Sequence, residues 1–149
     1  MNLSPHFTLE EFTASDTAAR HGLDNSVPAD LMPNAIAAAA MMERIRDALG
    51  GKPIIVTSGY RAPAVNKAVG SGPGSDHPKA MAFDFKCPAF GTPYAICQHL
   101  APLVSVLDIG QLIHEYGRWV HVSTRTPDKL LNRIITISDA GTEVGIHRV

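Results

Sequence analysis

Ser75-Asp76-His77-Pro78-Lys79-Ala80-Met81-Ala82-Phe83-Asp84 is the stretch on which the fold turns, read together with Trp119-Val120-His121-Val122-Ser123. The first carries a histidine and a carboxylate seven positions apart. The second alternates. A period of two puts Trp119, His121 and Ser123 on one face of a strand and Val120 and Val122 on the other. The valines claim the apolar core and leave His121 on the face where a site can lie. Asp84 stands between Phe83 and Phe85, where its carboxylate is costly to bury without a partner. Two imidazoles and one carboxylate make a common protein ligand set for a catalytic zinc, with the fourth position open to water. His77, Asp84 and His121 are therefore the candidate metal ligands, for one Zn2+ per chain.

Outward from these stretches, the chain reads as helices first and most strands later. Thr8-Leu9-Glu10-Glu11 has the capping-box pattern and predicts a short helix to about Ala14. Ser15 or Asp16 caps a second one ending near Gly22. A long alanine-rich helix is predicted from about Ala29 to Leu49, with Ile36, Ala40, Ile45 and Leu49 at helical spacing. Pro53 to Ser58 is β-branched and reads as a strand. Pro63 starts a helix that runs to Val69. Gly70 to Gly74 is loop, Ala82 to Phe85 a short strand, and Thr92-Pro93 opens a helix to about Leu100. Gln111–Glu115 and Trp119–Thr124 flank a glycine-containing hairpin turn, and Arg133–Ser138 is a further strand. The expected fold class is α+β: one domain over 1–149, with N-terminal helices on a small, mostly antiparallel sheet that carries the zinc site.

Composition narrows the function. The 149 residues are 45% hydrophobic and 18% charged, an ordinary globular chain. A net charge of −1 with no basic patch excludes a nucleic-acid partner. The N-terminus has no basic region followed by an apolar run, and no apolar run is long enough to span a bilayer. The expectation is synthesis in the cytoplasm, no membrane insertion, and a monomer. Cys87 and Cys97 read as two reduced, partly buried thiols.

Ser58-Gly59-Tyr60-Arg61-Ala62-Pro63 with Asn66, Ser75-x-His77 with Ala82-x-Asp84, and Trp119-Val120-His121-Val122-Ser123 occur in one order along the chain. From about Leu3 to Ser123 this resembles the M15 zinc peptidases, most closely the short, phage-associated branch of the D-alanyl-D-alanine carboxypeptidase type. The resemblance implies the hedgehog/D-Ala-D-Ala peptidase fold and a zinc held by His77, Asp84 and His121. It also implies peptidoglycan peptides as substrate and relatives that act as endolysins, on the cell wall after release or as part of a virion. There are two departures. The family usually has glycine where Ala80 stands. Many members place an acidic residue or histidine two or three positions before the last ligand, where this chain has Trp119 and Arg118. The short branch instead has a glutamate in a Gln-Leu-Ile-x-Glu stretch, similar to Gln111-Leu112-Ile113-His114-Glu115. The hairpin can fold Glu115 back toward His121.

On that resemblance Glu115 is the general base and Arg61 the cation for an oxyanion or a substrate carboxylate. Gly59 lets the backbone bend so that Arg61 faces a cleft. Ser75, Tyr60 and Trp119 are candidates for substrate contact. The bond cut is either that of a D-Ala-D-Ala carboxypeptidase or that of an L-Ala-D-Glu endopeptidase. Two other functions fit the same ligands: a non-catalytic zinc-containing binding or morphogenetic module, and a purely structural zinc domain with a closed site.

Overall fold

The computed structural model describes residues 1–124 and 133–149. Strands β1 (Asn2–Ser4) and β2 (Phe7–Thr8) pair as a small hairpin, too short to be foretold by alternation. Helix α1 (Leu9–Thr13) starts where its caps dictate. Thr8 Oγ1 accepts the Glu11 amide at 3.1 Å, and the Glu11 carboxylate accepts the Thr8 amide at 3.0 Å. Helix α2 (Asp16–His21) is capped by Ser15 and closed by Gly22 in the left-handed conformation.

The long helix is split. Ala29–Leu31 is a 3-10 turn, and helix α3 spans Met32–Ala48 with Pro33 in its first turn. Its buried stripe differs from the expected one. Ile36 is 48% exposed and Ala40 is exposed, while Ala35, Ala38, Met42, Ile45 and Leu49 are buried. Those five recur at steps of three and four. Ile36 and Ala40 lie one position further round the helix, outside the stripe. The small alanines let α3 lie close to the β1–β2 hairpin and the sheet.

The remaining elements are β3 (Ile55–Ser58), α4 (Pro63–Ala68), a 3-10 turn at His77–Lys79, β4 (Ala82–Lys86), α5 (Pro93–Leu100), β5 (Ile109–Glu115), β6 (Trp119–Thr124), β7 (Arg133–Ser138) and β8 (Gly141–Val144). Six strands form one sheet in the order β3-β4-β6-β5-β7-β8. The sheet is mixed. β7 docks on the far side of β5 from β6, so it runs parallel to β5, and the other neighbours pair antiparallel. The fold is thus α+β, with a parallel pair that a reading in consecutive hairpins does not foretell.

Period-two alternation divides the sheet. Phe83, Phe85, Leu112, Val120 and Val122 are fully buried on the helix side. Phe12 of α1 meets Phe83 at 4.8 Å between ring centres. Each such large side chain contributes about 1.5–3 kcal/mol by leaving water. Asp84, Gln111, Ile113, Glu115, Trp119 and His121 take the other side. Cys87 and Cys97 are free and buried, and burial pushes the Cys97 thiol up to about 12. No helix among the described residues is long and apolar enough to cross a membrane.

Candidate metal centre and cleft

Strand register builds half of the site. Asp84 on β4 is the direct partner of His121 on β6. Their side chains leave the same face, and His121 Nδ1 lies 2.9 Å from Asp84 Oδ1. His77 comes from the 3-10 turn before β4 and brings Nε2 to 3.3 Å from the same oxygen. Ligand atoms of the three residues all lie within 4.8 Å of one another, and all three residues are buried. Among the described residues, no fourth histidine, cysteine or carboxylate joins this group.

The surrounding hydrogen bonds fix which ring atoms face inward. His77 Nδ1 donates to the Gly59 carbonyl at 2.6 Å, leaving the Nε2 lone pair toward Asp84. His121 Nε2 donates to Gln111 Oε1 at 3.2 Å, which Ser123 Oγ also approaches at 3.3 Å. Such outer partners orient metal-ligating imidazoles and set their tautomers. His77 Nε2 is buried without a hydrogen-bond partner, although Asp84 is near. An acceptor pair of this kind is stable only with a cation or a proton between them. The donor set, the orphaned nitrogen and the outer hydrogen bonds therefore fit a divalent metal ion.

Charges follow the same logic. Burial opposes the ionisation of Asp84, but His77 and His121 more than offset it and hold its carboxyl well below the usual range. Burial pushes His77 down, against the pull of Asp84. Burial also works against a charged His121, yet its hydrogen bond to Asp84 wins and raises it. Without metal, a proton on His121 Nδ1 serves Asp84, and metal binding must displace it.

The three candidate ligands open onto a cleft of about 670 Å³, also lined by Arg61, Ser75, Gln111, Glu115, Tyr116 and Trp119. Glu115, at the end of β5, has Oε1 3.7 Å from His121 Nδ1. Burial and then Asp84 raise its pKa, against His121 and Arg61. The Trp119 indole favours the charged form of Glu115 without making a well-formed hydrogen bond. Burial lowers the Arg61 guanidinium, while Asp84 and Glu115 support its charge, and its Nε is buried without a partner. Ser75 Oγ accepts the His77 amide at 3.2 Å and so orders the turn that carries His77.

Tyr60 lies elsewhere. It is 2% exposed, packs beside Phe12 and is absent from the cleft lining. Beyond the end of β3 its backbone is drawn to α1, which sets the ring beside Phe12 and away from the cleft. Gly59 also has a different reason from the one expected. Its φ is not positive, but a Cβ there would fall 2.4 Å from the Phe12 carbonyl oxygen. The close approach lets the Tyr60 amide donate to that oxygen at 2.7 Å. His114, next to Glu115, points to the helix side and donates from Nδ1 to the His147 carbonyl at 2.9 Å. Gln111 was given no role by the sequence. Its period-two spacing from Ile113 and Glu115 is the signal that places it on the site face.

A comparison with curated protein sequences gives no match. A sequence model described as peptidase M15 matches residues 5–123, the span that holds His77, Asp84, His121, Arg61 and Glu115. The chain belongs to the peptidase M15 family.

Proposed function

We propose that the protein is a zinc-dependent peptidase acting on the stem peptides of peptidoglycan, as an endolysin-like member of its family. The observation that carries this reading is a buried His77–Asp84–His121 group, with no fourth protein ligand among the described residues, opening on a cleft beside Glu115. Zinc suits the donor set. Two imidazole nitrogens and one carboxylate oxygen, all within 4.8 Å of one another, are a common protein ligand set for a catalytic zinc. A closed structural site would need a fourth ligand, and a non-catalytic module would have no use for a base placed at Glu115.

When bound, zinc supplies Lewis acidity that polarises the scissile carbonyl and lowers the pKa of water to about 7. Glu115 takes a proton from the attacking water. The water oxygen joins the carbonyl carbon, the C–N bond breaks, and Glu115 returns the proton to the leaving amine. Arg61 offers a planar fork to a substrate carboxylate beside the scissile bond. Both candidate substrates have one, the terminal carboxylate of D-Ala or the free α-carboxylate of D-Glu.

The test is digestion of purified peptidoglycan by zinc-loaded protein, with mass analysis of the fragments. New amine and carboxyl ends at one peptide bond are expected. Glu115→Gln should keep its metal and lose about two to four orders of magnitude in rate. No fragments from the wild type, or full activity in Glu115→Gln, would each defeat the corresponding part of the reading.

A further inference from the structure

The turn between β5 and β6 carries a residue its backbone does not favour. Tyr116 has φ 57° and Gly117 φ 68°, and the Arg118 amide donates to the Glu115 carbonyl at 3.0 Å. Two consecutive left-handed residues in a hairpin favour Asn-Gly or Asp-Gly. A bulky tyrosine in the first position is an outlier, and such strain gathers at functional sites. The ring is not spent on the core. Tyr116 is 40% exposed, lines the cleft, and tilts against Trp119 at 5.8 Å between ring centres.

Glu115 is bracketed by apolar groups. Trp119 is its partner across the hairpin, Ile137 its partner on β7, and Tyr116 its neighbour at the turn, all of them lining the cleft. We infer that Tyr116 and Trp119 form an apolar notch that holds the aliphatic part of the substrate residue on the amine side of the scissile bond. This rests on the peptidase reading, because the argument starts from where the leaving amine must go. Glu115 protonates that amine, so the residue bearing it sits beside Glu115. Its carboxylate goes to Arg61, the cation that lines the same cleft as Glu115, Tyr116 and Trp119. Its side chain is left with the Tyr116–Trp119 wall. Amine, carboxylate and side chain are three substituents of one α-carbon. Three fixed contacts accept one hand of that carbon and reject the other, so Tyr116 is a specificity-determining residue for chirality.

The test uses two synthetic stem peptides that differ only in the hand of the residue following the scissile bond. Wild type, Tyr116→Asn and Tyr116→Phe are compared, all zinc-loaded. Asparagine tolerates the left-handed turn, so fold and metal content are kept. The D/L ratio of kcat/KM should narrow by about tenfold in Tyr116→Asn, the worth of a lost apolar contact in a pocket. Tyr116→Phe should retain the ratio, because the ring and not the hydroxyl makes the wall. An unchanged ratio in Tyr116→Asn overturns the assignment. Trp119 is the single tryptophan of the chain and gives a readout that needs no turnover. Titrating the same two peptides against its fluorescence should give unequal Kd values in wild type, converging in Tyr116→Asn. If wild type cleaves neither peptide, the peptidase reading fails, and equal Kd values for the two hands in that titration overturn the notch as well.

Discussion

Ala80 shows how one backbone angle constrains a metal site. It closes the 3-10 turn that carries His77, has φ 58° and ψ 34°, and is fully buried. An alanine in this region costs about 1–2 kcal/mol over the right-handed one. A methyl group is nevertheless tolerated, because its burial returns about 0.8 kcal/mol. Ala80→Gly should therefore leave stability within about 1 kcal/mol of wild type and keep full metal content, since the two terms nearly cancel. Ala80→Val should lose about 1–3 kcal/mol from overpacking of this fully buried position, with the β-branched side chain adding to the left-handed strain that alanine already bears. Denaturant titration and metal analysis of both variants check this. Equal stability for valine would show that the turn relaxes freely. The grouping of His77, Asp84 and His121 was legible at this scale, because the three are chemically conspicuous in their local patterns. The reason for Gly59 was not. It lies in the approach of the Phe12 backbone, some forty-seven positions away in sequence, and no local pattern encodes a contact of that range.

At the scale of elements, caps and alternation carried most of the reading. Thr8, Ser15 and Thr92 each cap the helix that follows, and Val120 and Val122 set the face of His121. What was missed depends on pairing between distant segments, as with β7 beside β5 and the β1–β2 hairpin. That hairpin is fastened by Glu43 of α3. The Glu43 carboxylate accepts Ser4 Oγ at 2.6 Å and the His6 amide at 2.7 Å, and meets His6 Nδ1 at 2.7 Å. Burial acts to raise the Glu43 pKa, but the Ser4 and His6 contacts outweigh it and lower the carboxyl. A depressed carboxylate contributes stability that is present above its unfolded pKa and lost as pH falls through the folded one. Glu43→Gln should therefore cost about 1 kcal/mol at pH 7, given that the site is partly solvated. The difference from wild type should begin to shrink as pH falls below the ordinary glutamate value of about 4.3 and be lost only once pH has passed the lowered folded value. Thermal unfolding of the two proteins across that range is the measurement. A difference independent of pH would mean that the hairpin is held by packing alone.

For the whole molecule, the question is how far folding depends on the metal. Asp84 and His121 are held in register by the β4–β6 ladder, on a sheet whose other face carries the main core. Neither position needs an ion to be set. His77 is different. Its turn follows the glycine-rich segment 70–74 and lies outside the sheet, held by the His77 Nδ1 contact with the Gly59 carbonyl, by Ser75, by the Arg61 amide on the His77 carbonyl at 3.3 Å and by the Asn34 side chain on the Lys79 carbonyl at 3.1 Å. Removing the metal should thus leave a folded protein with a loosened 70–80 segment, in contrast to a small zinc finger that unfolds outright. Binding to the native state alone stabilises by RT ln(1 + [L]/Kd), about 4 kcal/mol at a thousandfold excess over Kd. In a domain of this size that is about 8–16 °C in Tm. Zinc-loaded protein should melt higher than chelator-treated protein by about that amount, and His77→Ala should lose the difference. Hydrogen exchange after chelation should quicken in residues 70–80 and hold steady in β4 and β6. Global unfolding on chelation would show that the ion is part of the core. No change in Tm on adding zinc would show that these three side chains do not bind it.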